Sequence, residues 1–313
     1  MSAEIKKMSS LVIGIPTYKR PVMLKRLIVS IADCLIDKSL INELNVIVVD
    51  NDIDRSAEDT VNELKERFHG IYKLNYINYP VKGLSNVRNE IFNRAIEFNP
   101  DYIGCIDDDE YATSDWLNEL FKTIIKVKSE IVLGPVIPVF ESETRSEISY
   151  WFKYRDLQDC QSVNFFWTGN FMISTDFLVK SGIKFDERFN FTGSEDSYFG
   201  VTALRAGANI CWASNAVAFE TIPAKRANLK WLMKRSFNTA LTFTYILRLK
   251  KNYPGIFKKI SVSIIYFLGG GVALVAIPFP VKWKYWGVLK ISESIGGFAG
   301  LLGIHFHEYA KDR

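Results

Sequence analysis

The chain has 313 residues, enough for one large α/β domain with an appendage or for two small domains. Charged residues make up 24% and the formal net charge is +4, which excludes a disordered chain and argues against a dedicated nucleic-acid binder. The four cysteines (Cys34, Cys105, Cys160, Cys211) are widely spaced with no CxxC pair, and Cys105 and Cys211 lie inside apolar runs; they read as small core residues in a reducing compartment.

Met1 to Ser10 is polar and lacks the apolar core of a signal peptide, so the first domain is expected in the cytoplasm. Leu11 to Ile15 is an apolar strand ended by Pro16-Thr17. Pro21 to Ile36 has helical spacing, with Leu24, Leu27, Ile28 and Ile31 on one face. Asn45 to Val49 is a second buried strand ended by Asp50-Asn51-Asp52, followed by a charged helix over Ala57 to Phe68. Leu74 to Ile77, a helix over Leu84 to Phe98, and the strand Tyr102 to Ile106 complete the series. Repeating β-α units predict a mainly parallel sheet with helices on both faces.

A helix is expected near Asp115 to Lys128. Ile131 to Phe140 reads as one strand bent or pushed to an edge by Pro135 and Pro138. Glu141 to Ser149 is a polar loop, and Trp151 to Phe166 is aromatic-rich. Trp167-Thr168-Gly169-Asn170 leads into a strand over Phe171 to Ile173. Gly193-Ser194-Glu195-Asp196 opens a helix that Gly207 stops, and Asn209 to Phe219 reads as a last strand.

From Trp231 the character shifts. Basic residues crowd between Lys225 and Lys259, and Trp231 to Leu249 has a long helical pattern. Ile260 to Val281 is then 22 residues without a charge, between Lys259 and Lys282, a length that could span a bilayer. Gly269-Gly270-Gly271 and the prolines 278 and 280 are expected to break it. Gly287 to Phe306 is a second, moderately apolar stretch carrying Lys290 and Glu293. Basic flanks favour a hairpin or in-plane insertion with both ends cytosolic; a buried soluble helix pair is the alternative.

Asp107-Asp108-Asp109 emerges at the carboxyl end of the fourth strand, the edge where open α/β sheets bind ligands. Adjacent carboxylates repel, and a hard divalent cation that keeps substrate phosphates in its shell would relieve them. An acidic turn capping the next helix is the plain alternative. Asp50 occupies the matching place after the second strand, suited either to a ribose or base or to a helix cap. Arg88, in the first turn of the helix opened by Gly83 to Asn89, could fork onto a phosphate or nucleobase, or pair with Asp107 or Asp108. Glu195-Asp196 at a helix mouth suits a general base kept ionised, or an ordinary N-terminal cap. No GxGxxG follows the first strand and no GxxxxGK[ST] is present, which argues against a dinucleotide turn and removes a P-loop. His69, His305 and His307 are remote from the acids in sequence, so a histidine metal site is not expected.

Taken in order, Ile15-Pro16-Thr17-Tyr18-Lys19-Arg20, Val48-Val49-Asp50-Asn51, Gly83 to Asn89, Asp107-Asp108-Asp109, Thr168-Gly169-Asn170 and Gly193-Ser194-Glu195-Asp196 resemble the family-2 glycosyltransferases of GT-A fold over roughly residues 10 to 235. The resemblance implies an α/β, Rossmann-like, mainly parallel sheet flanked by helices. It implies a catalytic domain over 1–235, and a basic helix with a helical, apolar, membrane-associated region over 236–313. It implies a nucleotide-diphospho-sugar donor and a divalent metal, Mg²⁺ or Mn²⁺. Pro16, Thr17, Tyr18, Arg20, Asp50, Arg88 and Asp108 would line the nucleotide pocket, and Gly169-Asn170 would border the donor sugar. Asp109 would bind metal and Asp107 ribose or metal; Asp196 would be the base of an inverting displacement, with Glu195 assisting in acceptor or donor binding. Many members carry a metal-binding His after the last core strand, where this chain has Phe219-Glu220-Thr221, so Glu220 is a candidate substitute. The Arg226 to Arg235 segment resembles a stretch of bacterial polysaccharide-assembly members and could grip a polyprenyl-diphosphate-linked acceptor, be a solvated helix face, or contact anionic lipid. The expected activity is sugar transfer to a glycan or lipid-linked hydroxyl in cell-surface polysaccharide or glycolipid assembly, at the cytoplasmic face of the cell membrane, without nucleic acid. The competing expectations are a sugar-phosphate nucleotidyltransferase and a non-catalytic, membrane-tethered nucleotide-sugar-binding module.

Overall fold

The computed structural model describes residues 8–275 and 280–304; the polar leader as far as Lys7, the proline at 278, and His305 and His307 lie outside the described residues. In chain order the elements are β1 (Ser9–Thr17), α1 (Pro21–Ala32), β2 (Ile41–Asp50), α2 (Glu58–Phe68), β3 (Lys73–Asn78), α3 (Leu84–Glu97), β4 (Tyr102–Ile106), β5 (Glu110–Ala112), α4 (Trp116–Val127), β6 (Ile131–Leu133) and β7 (Val136–Phe140). There follow α5 (Ser146–Ser149), β8 (Asn170–Ser174), α6 (Thr175–Ser181), α7 (Glu195–Arg205), β9 (Ile210–Trp212), β10 (Ala218–Ile222), α8 (Leu229–Leu249), α9 (Tyr253–Val275) and α10 (Val281–Leu301). The described residues form two compact units. One takes in 137 and below, Tyr154–Glu187 and Phe199–Glu220; the other takes in Pro138–Lys153, Arg188–Tyr198 and 221 onward. Residue 235, the expected domain boundary, lies inside α8.

The first unit is a seven-stranded sheet of order β3-β2-β1-β4-β8-β6-β9. The pairs β1–β2, β2–β3, β1–β4 and β6–β9 are parallel, whereas β8 runs antiparallel to both β4 and β6. Alternation of side chains along β1 assigns Leu11, Ile13 and Ile15 to one apolar layer and Val12 to the other. The first layer includes Leu24, Leu27 and Ile28 of α1 with Trp116 and Phe121 of α4. The second includes Ile91 and Phe92 of α3 with Phe171, Phe185 and Phe199. Both faces are therefore dry, as β-α repetition requires, and each large apolar side chain buried contributes about 1.5–3 kcal/mol. Phe92, Phe185 and Phe199 meet as rings, with Phe185 and Phe199 stacked at 4.3 Å. All four cysteines are free, and Cys34, Cys105 and Cys211 are buried.

Two single strands expected from the sequence are each split. Ile131 to Phe140 becomes β6 and β7, because the chain turns away at Gly134-Pro135; Ala218 N donates to the Pro135 carbonyl there. Asn209 to Phe219 becomes β9 and β10 for the same reason, the chain leaving the large sheet after Trp212. The three-residue β5, unexpected from the sequence, pairs antiparallel with β10.

In the second unit, α8, α9 and α10 pack as a layer with α10 in the middle. A Cβ added to Gly296 would sit 2.1 Å from the Phe237 carbonyl oxygen, and one on Gly300 2.5 Å from that of Leu241, so α10 and α8 run parallel at very close range. Gly270 of α9 faces Gly287 of α10, each added Cβ meeting the other's carbonyl oxygen within 2.8 Å. The glycines at 269–271 therefore do not break the helix: α9 runs unbroken from Tyr253 to Val275, and contact with α10 offsets their poor helix propensity. A small cluster of Ile148, Leu232 and Leu289, with Trp151, Phe152, Trp231 and Tyr285 against it, fastens the start of α10 to α5 and the start of α8.

Candidate active site

β1, β2 and β4 are parallel neighbours, so their carboxyl ends share one edge, with Thr17 opposite Asp50 in register. Thr17-Tyr18-Lys19-Arg20 leaves β1 there, Asp50-Asn51-Asp52 leaves β2, and Asp107-Asp108-Asp109 leaves β4. Arg20 is the clasp between them: its Nη1 donates to Asp108 Oδ1 at 2.9 Å and to Asp109 Oδ2 at 2.8 Å. Thr17 Oγ1 donates to Asp108 Oδ2 at 2.9 Å, and the Tyr18 amide to the same oxygen at 3.4 Å. Arg88, from the first turn of α3, donates through Nη2 to both Asp107 oxygens at 3.2 and 3.3 Å. The structural alternative for Arg88 is thus realised with Asp107. Pro16 lies within β1, its register partner being Val49.

Electrostatically this edge carries more negative than positive charge. Burial pushes the Asp108 carboxyl up to about 6 while Arg20 pulls it back. Asp107 is also raised by burial, with Arg88 opposing and Asp109 adding repulsion. For Arg20, burial disfavours the charge, but Asp108 and Asp109 outweigh it and the guanidinium is held protonated. Glu110 is the most displaced: buried, and repelled by Asp107, Asp109 and Glu220, its carboxyl is raised well above the usual range. It stands directly opposite Glu220 in the β5–β10 ladder. An added Cβ on Gly169 would lie 2.1 Å from Glu110 Oε1, so a side chain there would push this buried carboxyl aside. The sequence reading passed over Glu110, although it extends the acidic run by one residue, because a three-residue strand has no readable period.

Asp50 and Asn170 are fully buried braces. Asp50 accepts from the Asp52 amide at 3.0 Å, the Ala57 amide at 3.0 Å and the Tyr76 hydroxyl at 2.9 Å, fixing the entry to α2. Asn170 accepts from Trp116 Nε1 at 2.8 Å and donates to the carbonyls of Pro135 and Ala216 at 3.1 and 2.7 Å. Neither side chain has exposed surface for a nucleotide or sugar. Two residues further on, Asp52 is only 2% exposed, and its Oδ2 has no hydrogen-bond partner among the described residues. Its Oδ1 lies 3.6 Å from Lys19 Nζ, on a lysine whose backbone is left-handed (φ 54°). Asp52 is the acceptor at this edge that the sequence pointed to only as a strand terminator.

Glu195 and Asp196 belong to the second unit, in the first turn of α7. Glu195 is buried, while Asp196 is half-buried and accepts from the Ser197 amide at 2.6 Å through Oδ1. Tyr198 follows within the same unit; Arg188 Nη2 donates to its hydroxyl at 3.2 Å, and Lys250 Nζ lies 4.2 Å from its ring centre.

The donors that would hold a divalent cation are carboxylates of suitable chemistry. Among the described residues no three His, Cys, Asp or Glu side chains are grouped as an all-protein metal cage would need. Mg²⁺ and Mn²⁺ sites of this class use one or two carboxylates completed by phosphate oxygens and water. The surplus of acid over base at Asp107–Glu110, and the raised pKa values that express it, fit a cation arriving with a diphosphate.

The family model described as Glycosyl transferase family 2 matches residues 12–182. The succinoglycan biosynthesis protein ExoM of Rhizobium meliloti (strain 1021) is 26% identical over 304 residues, which cover 93% of each chain. Among solved structures, residues 1–349 of S. aureus TarS in complex with UDP-GlcNAc superpose with a TM-score of 0.54 at 15% identity, covering 94% of this chain and 92% of that one. A longer TarS structure is matched with a TM-score of 0.53 at 14% identity, the present chain spanning 55% of its length. At such identities the likeness concerns the fold, a GT-A-type α/β domain.

Proposed function

From the premise that the chain belongs to glycosyl transferase family 2, we propose that it moves a sugar from a nucleoside-diphosphate donor to a hydroxyl of a growing polysaccharide or glycolipid, with inversion at the anomeric carbon. The observation that carries this reading is the Asp107-Asp108-Asp109 edge clasped by Arg20 and Arg88 at the carboxyl ends of β1 and β4. Acceptor class is inferred from the ExoM relative, and a uridine donor from the TarS complex.

In the proposed reaction the acceptor oxygen attacks C1 of the donor sugar as the bond from C1 to the diphosphate oxygen breaks. Asp196 takes the acceptor proton, and the nucleoside diphosphate departs with the bonding pair. Glu195, beside it in the first turn of α7, assists in binding the acceptor or the donor. Arg20 and Arg88, already fixed by their aspartates, orient and neutralise the donor phosphates in forked geometry. Lys19, whose ammonium lies 3.6 Å from Asp52 Oδ1, meets polar atoms of the nucleoside. Asp107 and Asp109 would hold a divalent cation, which when bound stabilises charge on the leaving diphosphate. The basic start of α8, with Lys230, Lys234 and Arg235, suits a polyprenyl-diphosphate-linked acceptor or anionic lipid. Exposed apolar residues of α9 and lysines beside both apolar segments favour the cytoplasmic face of the membrane as its place.

A donor screen by thermal shift with Mn²⁺, starting from nucleoside diphosphates, tests the assignment. Asp109→Asn is expected to abolish metal-dependent stabilisation by the diphosphate. Asp196→Asn is expected to keep that stabilisation and to lower turnover by at least about 10²-fold, the low end for a general base. Near-full turnover in Asp196→Asn would remove the base assignment. Release of pyrophosphate in place of a nucleoside diphosphate would identify nucleotidyl transfer.

A further inference from the structure

α9 is built inside-out relative to a helix of a water-soluble protein. Its seam toward α10 carries Ser263, Gly270 and Ala273, all buried, and Lys259, whose Nζ donates to Glu293 Oε1 at 3.3 Å. Ser294 Oγ of α10 donates to the Ser263 carbonyl at 2.7 Å. Small residues and interhelical hydrogen bonds are the packing devices of helices that gain nothing from hiding apolar surface. The opposite face of α9 is large and apolar: Phe257 is 71% exposed, Ile265 63%, Leu268 64%, Val272 58% and Val275 79%. These residues recur at helical spacing along one line, and only 17% of the apolar window is buried. Lys258 stands at one end of the stripe, and Lys282, Trp283 and Lys284 lie beyond the other, all four exposed.

α9 is long enough to cross a bilayer, its 23 residues rising about 34 Å against a hydrocarbon core of about 30 Å. The packing of α10 argues against a crossing. A spanning hairpin would carry the start of α10 to the far leaflet, yet Tyr285 and Leu289 there are locked to Ile148, Leu232, Trp151 and Trp231, on segments bearing Arg145, Lys153 and Lys230. Glu293, bridged by Lys259 and Lys290, would also have to sit inside the hydrocarbon, about 18 Å along α10.

We infer that α9 lies in the plane of one membrane leaflet, its Phe257–Val275 stripe sunk among acyl chains and its terminal lysines on anionic headgroups, with neither α9 nor α10 crossing the bilayer. Charge and pattern commit the face to lipid: the stripe is apolar apart from Ser261, carries no charge between Lys259 and Val275, and is flanked by lysines at both ends. This deepens the membrane placement proposed above and rests on it.

The test uses the full chain added to preformed vesicles of phosphatidylcholine with about one quarter phosphatidylglycerol. Flotation is expected, weaker on pure phosphatidylcholine, and Leu268→Glu should reduce the bound fraction by about tenfold or more while leaving UDP-dependent thermal stabilisation intact. A membrane-impermeant maleimide added outside should modify Lys258→Cys and Lys284→Cys equally, as read by mass spectrometry of the labelled peptides. Protection of Lys284→Cys until detergent is added would show a crossing hairpin and overturn this inference while sparing the membrane reading. Absence of flotation by the parent protein would remove both. Flotation of Leu268→Glu at the parental level would free the α9 face from the contact. A parent protein that dimerises and ignores lipid, with a monomeric Leu268→Glu, would assign the face to a second copy and overturn the inference.

Discussion

The central sheet and the α8–α10 layer obey opposite rules. Around the sheet, large apolar side chains such as Phe171, Phe185 and Trp212 are inside, and buried charge gathers at the strand ends and on α3. Around α10, glycine and serine are inside and the large apolar side chains of α9 point out. A water-soluble core is held by apolar burial, whereas the helical layer is held by backbone proximity and a few hydrogen bonds. One chain thus packs by two rules, and the change comes after β10.

The sharpest way to break that contrast is to delete bulk on each side of it. Phe171→Ala, in the sheet, is expected to cost about 3–5 kcal/mol in a denaturant titration, because the ring is 1% exposed and ringed by Phe92 and Phe166. A cost below about 1 kcal/mol would mean that the aromatic layer is loosely packed. The acidic edge gives the next largest effect. Asp108 titrates at about 6 in the folded protein against a usual 3.8, so its contribution is full below pH 4 and lost as pH rises through 6. Relative to the parent, Asp108→Asn should therefore gain up to about 3 kcal/mol between pH 4 and pH 7, on top of a constant loss of the Arg20 bond. A pH-independent difference would show that Asp108 is ionised throughout. Gly296→Val should cost about 1–3 kcal/mol or more, since its Cβ would meet the Phe237 carbonyl and drive α8 from α10. The smallest effect belongs to the outer face: Leu268→Ser in detergent should change stability by no more than about 0.5 kcal/mol, as for an exposed site. A loss as large as that of Phe171→Ala would make α9 an ordinary core helix.

How far the sequence revealed this depended on periodicity. β4 occupies Tyr102–Ile106 as expected, and β1, β2, β3 and α1 to α4 fall within a few residues of their predicted places, because each buries a face that repeats at its own period. β5 was invisible, since three residues cannot show a period, and Glu110 was lost with it. The Pro135 and Asn209–Phe219 segments misled because tertiary turns, not local composition, end β6 and β9 there. The three aspartates and Arg88 were picked out by topology, which sends the ends of parallel strands to one edge and the start of α3 toward it, whereas Arg20 came only with the family resemblance. Asp50 was read either as a ribose or base contact or as a helix cap, and its bonds to the Asp52 and Ala57 amides at the entry to α2 are of the second kind; Asn170 was legible only as a motif position, and that Trp116 consumes its carboxamide is a fact of packing.

The Asn170 carboxamide is worth following one step further. A single side-chain group ties the indole of α4 to the backbone at Pro135 and at Ala216, three stretches far apart in the chain. Its neighbour Gly169 roofs the Glu110 carboxyl. An alanine at 170 would thus cut three ties at once and loosen the turn that carries Gly169, and an activity screen would record a lost ligand contact where an architectural tie had been cut. Position 116 is the natural partner for compensation, so tolerated changes at 170 should arrive in pairs with changes of the indole.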